Sequence, residues 1–352
     1  MTLTNLSREN PSSETTPVAT GTNAVAIGSG SVANGQHSFS IGQNTVSGTT
    51  GGQNYAVAIG YSATGTGAFS TSVGGFTDAT AQHALALGTY AQATGVRSSS
   101  IGRALASGAD SLASSLTNTS SSYGAQGASS VAIGKEAKAT GAGSIALSTK
   151  TYTGGAVATG SGSVAIGDGA AASGLLGMAI GRGATASGIM SMAYGRDSQA
   201  TQEESKAFGY RSYADVTGCF AYASGYFGAA NGDAQGRQYI LRKATTDATA
   251  TVLTTDAGNA TTNNQIRVPA NSVVVFDGVI TACQSGVAAY AGWRVEGMIT
   301  NDGGTTVIQN NTITAIKNES GWRCRLSAND STDSLVVTVT GEASHNIRWV
   351  AN

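Results

Sequence analysis

Apolar and polar residues alternate along the first two thirds of this chain in short runs, and most runs end in glycine. In Ser130-Val131-Ala132-Ile133-Gly134, Val131 and Ile133 share one side, and Ser130 and Ala132 share the other. A period of two predicts a strand. The phrase recurs with glycine at 28, 42, 60, 74, 88, 102, 134, 167, 181, 195 and 209, and with Ser148 and Ala223 standing in for glycine. Most steps are 14 residues, but Gly42 to Gly60 is 18, Ser148 to Gly167 is 19, and Gly102 to Gly134 holds a degenerate stretch around Ser115–Gly127. A second small residue often follows seven positions later, as at Gly35, Gly67, Gly95, Gly141, Gly174 and Gly188. Helix is excluded, because glycine at that density costs about 1 kcal/mol per occurrence.

A fixed period with a turn residue at each half predicts a solenoid, with two short strands per coil, each stacked on its equivalent in the next coil. About fourteen coils are expected. On this reading Val and Ile fill a thin interior, while Ala and Ser face outward and allow close approach of another chain. One such stack buries too little apolar area to offset the ordering of its backbone. A symmetric homo-oligomer is therefore expected to supply the remaining burial. Aromatic residues gather at Tyr210, Tyr213, Phe220, Tyr222, Tyr226 and Phe227, and are expected to widen the last coils and close the stack.

Composition changes this picture only at its edges. Glycine is 49 of 352 residues, about twice the usual share, and Pro is only 3, which excludes collagen. Net charge is −1, so nothing draws the chain to nucleic acid or to an anionic membrane. No run of about 18 apolar residues predicts a membrane helix, and the polar start has no signal-peptide core, so synthesis in a cytoplasm is expected. Cys219, Cys283 and Cys324 are odd in number and in unrelated contexts, and are expected to be reduced structural thiols.

From Arg237 the pattern shifts to longer strand candidates separated by turn signals, among them "SVVVFDGVITAC", "AAYAGWRVEGMIT" and "SLVVTVTG". Many short strands without helical runs predict an antiparallel β-sandwich or jelly roll, with Trp293, Trp322 and Trp349 in its core. Four segments follow: 1–22, 23–224, a glycine-rich linker or cap at 225–236, and 237–352.

Two stretches carry resemblances. "NAVAIGSGSVANGQHSFSIG" and "SVAIGDGAAASGLLGMAIGRGATASG" resemble the YadA-type head repeat of trimeric autotransporter adhesins. That resemblance implies a left-handed parallel β-roll with three chains side by side over about Asn23–Ala223. "GDAQGRQYILRKATTDATATVLTTD", "VPANSVVVFDGVITA" and "VTGEASHNIRWVA" resemble the C-terminal domains of phage tail-fibre proteins over Gly232–Asn352. Together they imply a homotrimeric virion tail fibre. Residues 1–22 would join other virion proteins, and 237–352 would bind a host surface glycan or outer-membrane protein. A capsid- or neck-attached spacer fibre, a polysaccharide depolymerase and a bacterial surface adhesin are the alternatives.

Candidate chemistry is sparse, and neither catalytic, cofactor-binding nor metal-binding residues are assigned. A glycan-cleaving fibre needs paired carboxylates. Asp78, Asp110, Glu136, Asp168, Asp197, Glu203 and Glu204 are expected to be solvated near coil turns, and Asp302, Glu319, Asp330, Asp333 and Glu342 to lie in loops. His37, His83 and His345 lack metal-ligand spacing. The G-x-G-x-x-A at Gly167 and Gly181 follows from the period and precedes no helix, so no dinucleotide site is expected.

Overall fold

The computed structural model describes residues 15–49, 55–116, 122–151, 154–228, 230–286 and 288–352. Among these the chain is all β, a parallel solenoid of about fourteen turns followed by antiparallel sheets. It divides into two compact units, one ending at Ala184 and the other spanning Thr185–Asn352.

In the first unit each coil contributes a longer and a shorter strand. Val57–Tyr61, Thr71–Gly75 and Leu85–Leu87 stack in parallel, with Val57 opposite Thr71 and Thr71 opposite Leu85. Thr64–Gly65, Asp78–Ala79 and Gln92–Ala93 stack likewise in a second sheet. The lengthened steps include residues 50–54, 117–121 and 152–153, which lie outside the described residues, as do 1–14 of the expected N-terminal segment. On either side of those steps the register resumes, with Phe39 opposite Val57, Leu112 opposite Val131 and Ile145 opposite Val164.

The faces are the reverse of the sequence expectation. Ser163 and Ala165 are buried, while Val164 and Ile166 are only half-buried and point away from the interior. The same holds for Ala56, Ala58, Ala84, Ala86, Ser98 and Ser100, all fully buried. The reason is width. Ser72 Oγ donates to Thr77 Oγ1 at 2.7 Å and Ser40 Oγ to Thr45 Oγ1 at 2.8 Å, each from the long-strand wall to the short-strand wall. Two walls one hydroxyl bond apart leave room for small residues such as Ala, Ser and Thr.

Coil corners are equally tight. Gly74 has φ +137°, and a Cβ there would lie 1.8 Å from the carbonyl oxygen of Gly88 in the next coil. At the opposite corner, His37, Tyr55, Phe69 and His83 adopt positive φ of 57°, 39°, 60° and 57° without being glycine. Inter-coil bonds hold that strained geometry, as where His83 N–H donates to the Ala68 carbonyl at 2.8 Å.

In the second unit, the coils keep the small interior at Ala186, Ala193, Ala200, Ala207, Ala214 and Ala221. The expected widening by aromatic residues is absent. Phe220, Tyr222, Tyr226 and Phe227 are exposed, and Gly236–Gln238 pairs antiparallel with Phe220–Ala223 to cover the last long strand. Beyond it a five-stranded antiparallel sheet runs Leu241–Thr245, Ile347–Ala351, Ser272–Gln284, Tyr290–Asp302, Thr305–Lys317. A second sheet centres on Ser334–Thr340, which pairs with Thr251–Val252, Ile266–Arg267 and Arg323–Asn329. Side chains from both sheets share one core, with Trp293, Trp322 and Trp349 inside it as expected. Trp349 and Trp293 stack at 5.9 Å, and the Trp349 Nε1–H donates to Thr245 Oγ1 at 2.9 Å.

Ala86 tests the narrow interior. It is fully buried and stands opposite Ser72 and Ser100 in the neighbouring coils. Ala86→Ser should leave the thermal midpoint within about 1 kcal/mol of wild type, whereas Ala86→Leu overpacks the interior and should cost about 3 kcal/mol. Equal midpoints for the two variants would contradict the assignment of faces.

Candidate functional site: the outward face of the coils

Turning the small residues inward leaves the large ones outside. In the first unit the outward positions of the long-strand sheet include Val25 and Ile27, Phe39 and Ile41, Val57 and Ile59, Leu85 and Leu87, and Val131 and Ile133, continuing to Val164 and Ile166 and to Met178 and Ile180, with Thr71, Ser99 and Ser114 as polar interruptions. All are half-buried or exposed. The short-strand sheet presents a mixed face, with Thr64, Asp78, Gln92 and Lys138 as well as Val32, Val46, Leu105 and Val157 at its outward positions. In the second unit Met192, Tyr194, Phe208, Phe220 and Tyr222 hold the long-strand position, interrupted by Lys206. An apolar band of this length on one sheet marks an interaction surface.

The coil corners carry ladders. His37, Tyr55, Phe69 and His83 stack at 4.8, 5.1 and 5.0 Å with rings parallel to within 6°. The same corner one and two coils on holds Arg97 and Asp110, paired through two bonds of 2.5 and 2.8 Å. The Arg97 guanidinium holds the Asp110 carboxyl below its usual range. A neighbouring ladder stacks Phe76 on Tyr90 at 5.0 Å, with Arg103 over the Tyr90 ring at 4.7 Å. Rings stacked face to face offer only their edges, so the inner rungs provide no open platform for a sugar.

The sequence-predicted carboxylates do not converge, and most hold local structure. Asp168, expected at the solvated surface, is buried instead, and it accepts the backbone N–H groups of Thr151 and Gly154 at 3.1 and 3.2 Å. That bond set ties down one of the lengthened coils. Glu136 pairs with Lys150, which keeps its carboxyl below the usual range. Asp197 sits 3.4 Å from Arg196 Nε, while Glu203 and Glu204 are exposed and Asp78 faces outward on a short strand. In the sandwich, Asp330 accepts the Thr306 N–H at 2.5 Å and Asp333 the Thr306 hydroxyl at 3.0 Å. Glu319 pairs with Lys317, Glu342 with His345, and Asp302 is exposed. Among the described residues no group of three His, Cys, Asp or Glu could hold a metal ion, and no helix is long and apolar enough to cross a membrane. Cys219, Cys283 and Cys324 are free thiols, and burial pushes the Cys219 thiol up to about 11.

One charged cluster escaped the sequence reading. Asp215, with a 5% exposed side chain, lies 2.9 Å from Arg237 and 3.0 Å from Arg267. Burial works against the Arg237 charge, but Tyr239 and Asp215 outweigh it and raise the pKa of that guanidinium. The cluster joins a coil residue to two residues of the following region. A signal was present: Asp215 occupies the position held by Thr80, Thr94, Thr140, Thr159 and Thr201 in earlier coils.

Comparison with known families finds the YadA head domain repeat at 19–45, 79–104, 125–147 and, in overlapping copies, at 154–170, 158–184, 172–198 and 186–212. The matched residues fall within the coils and make up less than half of the chain. The gaps between matches contain the three lengthened coils. No curated protein matches the chain.

Asp215→Asn leaves two arginines facing a neutral side chain, one of them buried. Breaking a buried pair of this kind costs about 3 kcal/mol or more. The variant should lower the melting midpoint of Thr185–Asn352, followed by tryptophan fluorescence. An unshifted midpoint would show that the cluster contributes nothing to cohesion.

Proposed function

We propose that the chain is the subunit of a homotrimeric adhesive fibre, in which the coils form the shared shaft and the C-terminal sandwich is the part presented to a target surface. The observation that carries this reading is the long apolar band on the long-strand face, beside an interior that is already full. Identical copies with identical 14-residue registers are the partners best matched to such a band, because each coil meets the same residues in its neighbour. The match to YadA head repeats supports the same assembly.

The sandwich suits binding more than chemistry. Most of the sandwich carboxylates expected in loops are engaged by neighbouring groups, as at Asp330, Asp333 and Glu342. Attachment by weak contacts repeated three times would gain its strength from avidity. The ligand would be a surface glycan or an outer-membrane protein. The resemblance of Gly232–Asn352 to tail-fibre C-terminal domains favours a virion fibre, joined to other virion proteins through residues 1–22. A bacterial surface adhesin is the second reading, favoured by the head-repeat match itself.

Antibodies raised against residues 237–352 separate these readings by immuno-electron microscopy of a culture that produces the protein. Label at the fibres of released particles is the expected result. Label confined to the cell envelope supports the second reading instead. Label on neither, with the protein free in solution, would contradict both.

A further inference from the structure

The three longest strands of the sandwich form a ribbon that outruns its neighbours. Ile347–Ala351 pairs with Ser272–Gln284 only from Ile280 onward, and Asn352 exchanges backbone bonds with Val279 at 3.0 and 3.1 Å. Val279 thus turns its N–H and C=O toward that side. By the period of two, so do Val273, Val275 and Asp277, where no strand follows. Among the described residues no backbone group bonds to these three on that side. Their side chains are exposed as well, Val273 by 65% and Val275 by 78%. A cavity of about 720 Å³ borders the same edge and is lined by Val274, Phe276, Ile266 and Leu335.

Unpaired strand edges are normally blunted by charge, proline or a bulge. The edge at Ser272–Phe276 has none of these, and the first charge is Asp277. The other outer strand of the ribbon, Thr305–Lys317, also ends the sheet. Its register against Tyr290–Asp302 shifts twice, opposite Met298–Ile299 and opposite Gly292–Trp293, its Thr306 N–H is held by Asp330, and its exposed run Gln309–Thr312 is polar, so the regular, uncovered part of this edge is Asn310–Ala315. One chain therefore holds both an apolar edge lacking a strand and a strand lacking a second neighbour.

We infer that the Val273–Asp277 edge is an interface for a second copy of this chain, whose Asn310–Ala315 stretch, the regular part of the Thr305–Lys317 strand, adds to it. Edge-to-edge addition of this kind is head-to-tail, and it closes a ring of three when each step turns the next copy by a third of a turn. The inference rests on the homotrimeric reading for the nearness of the copies, but it places a second contact, independent of the coils, within the sandwich.

Hydrogen exchange of the purified full chain, resolved residue by residue by fragmentation mass spectrometry, tests it. The amides of Val273, Val275 and Asp277 should exchange at least about 100-fold more slowly than unpaired amides, as Thr281 and Cys283 do through their own strand partner. Val275→Pro removes one outward donor without touching the ladder to Tyr290–Asp302. It should abolish protection at Val273 and Asp277 and leave it at Thr281 and Cys283, which reports that the sandwich is still folded. Native mass measured on the same sample separates the two readings. A trimer whose edge amides exchange freely overturns this inference and spares the homotrimer. A monomer overturns both. Because no other protein is present, a free edge is also the result expected if a foreign peptide were the natural occupant, and it would overturn the assignment to a second copy.

Discussion

The distance between the two walls of each coil decides most of this structure. Ser72 and Thr77, on opposite walls, are close enough for one hydroxyl to bond the other. Only small residues, chiefly Ala, Ser and Thr, fit such a gap, and overpacking a filled interior is penalised. The narrow bore explains the composition. Glycine is needed where coils touch backbone to backbone, as at Gly74 against Gly88, and small residues are needed inside. The large apolar residues have only the outer surface left.

That displacement links the fold to its proposed role. A thin coil buries little apolar area of its own, and the area it cannot bury is arranged as a band along one sheet. The remaining stabilisation must come from a neighbour, and a repeating register is well matched by an identical one. Corner ladders such as His37–Tyr55–Phe69–His83 add contacts along the stack without drawing side chains inside. At the far end, Asp215 holds Arg237 and Arg267, so the last coils and the sandwich fall in one compact unit.

The sequence made the solenoid legible because a 14-residue period survives every substitution that keeps size and turn chemistry. The three tryptophans were legible as core for a similar reason, since each lies in an alternating strand. The orientation of the coil faces was not. Alternation separates Val131 and Ile133 from Ser130 and Ala132, but it does not say which pair is inside, and the usual rule that large apolar residues are buried points the wrong way when the bore is too narrow for them. Asp168 and Asp215 were missed for a different reason. Their partners are backbone N–H groups and arginines brought near only by folding, up to 52 positions away in sequence. The outward aromatic residues near Phe220 were misread as a plug, because crowding in sequence does not reveal which face of a strand carries the rings.

Sedimentation equilibrium of the full chain, followed from micromolar to nanomolar concentration with circular dichroism on the same samples, tests the central claim that the outward band is covered by identical copies. A single species of three times the 34.9 kDa chain mass is expected, with β-structure lost if that species dissociates. A monomer that keeps its β-structure throughout the range would contradict it.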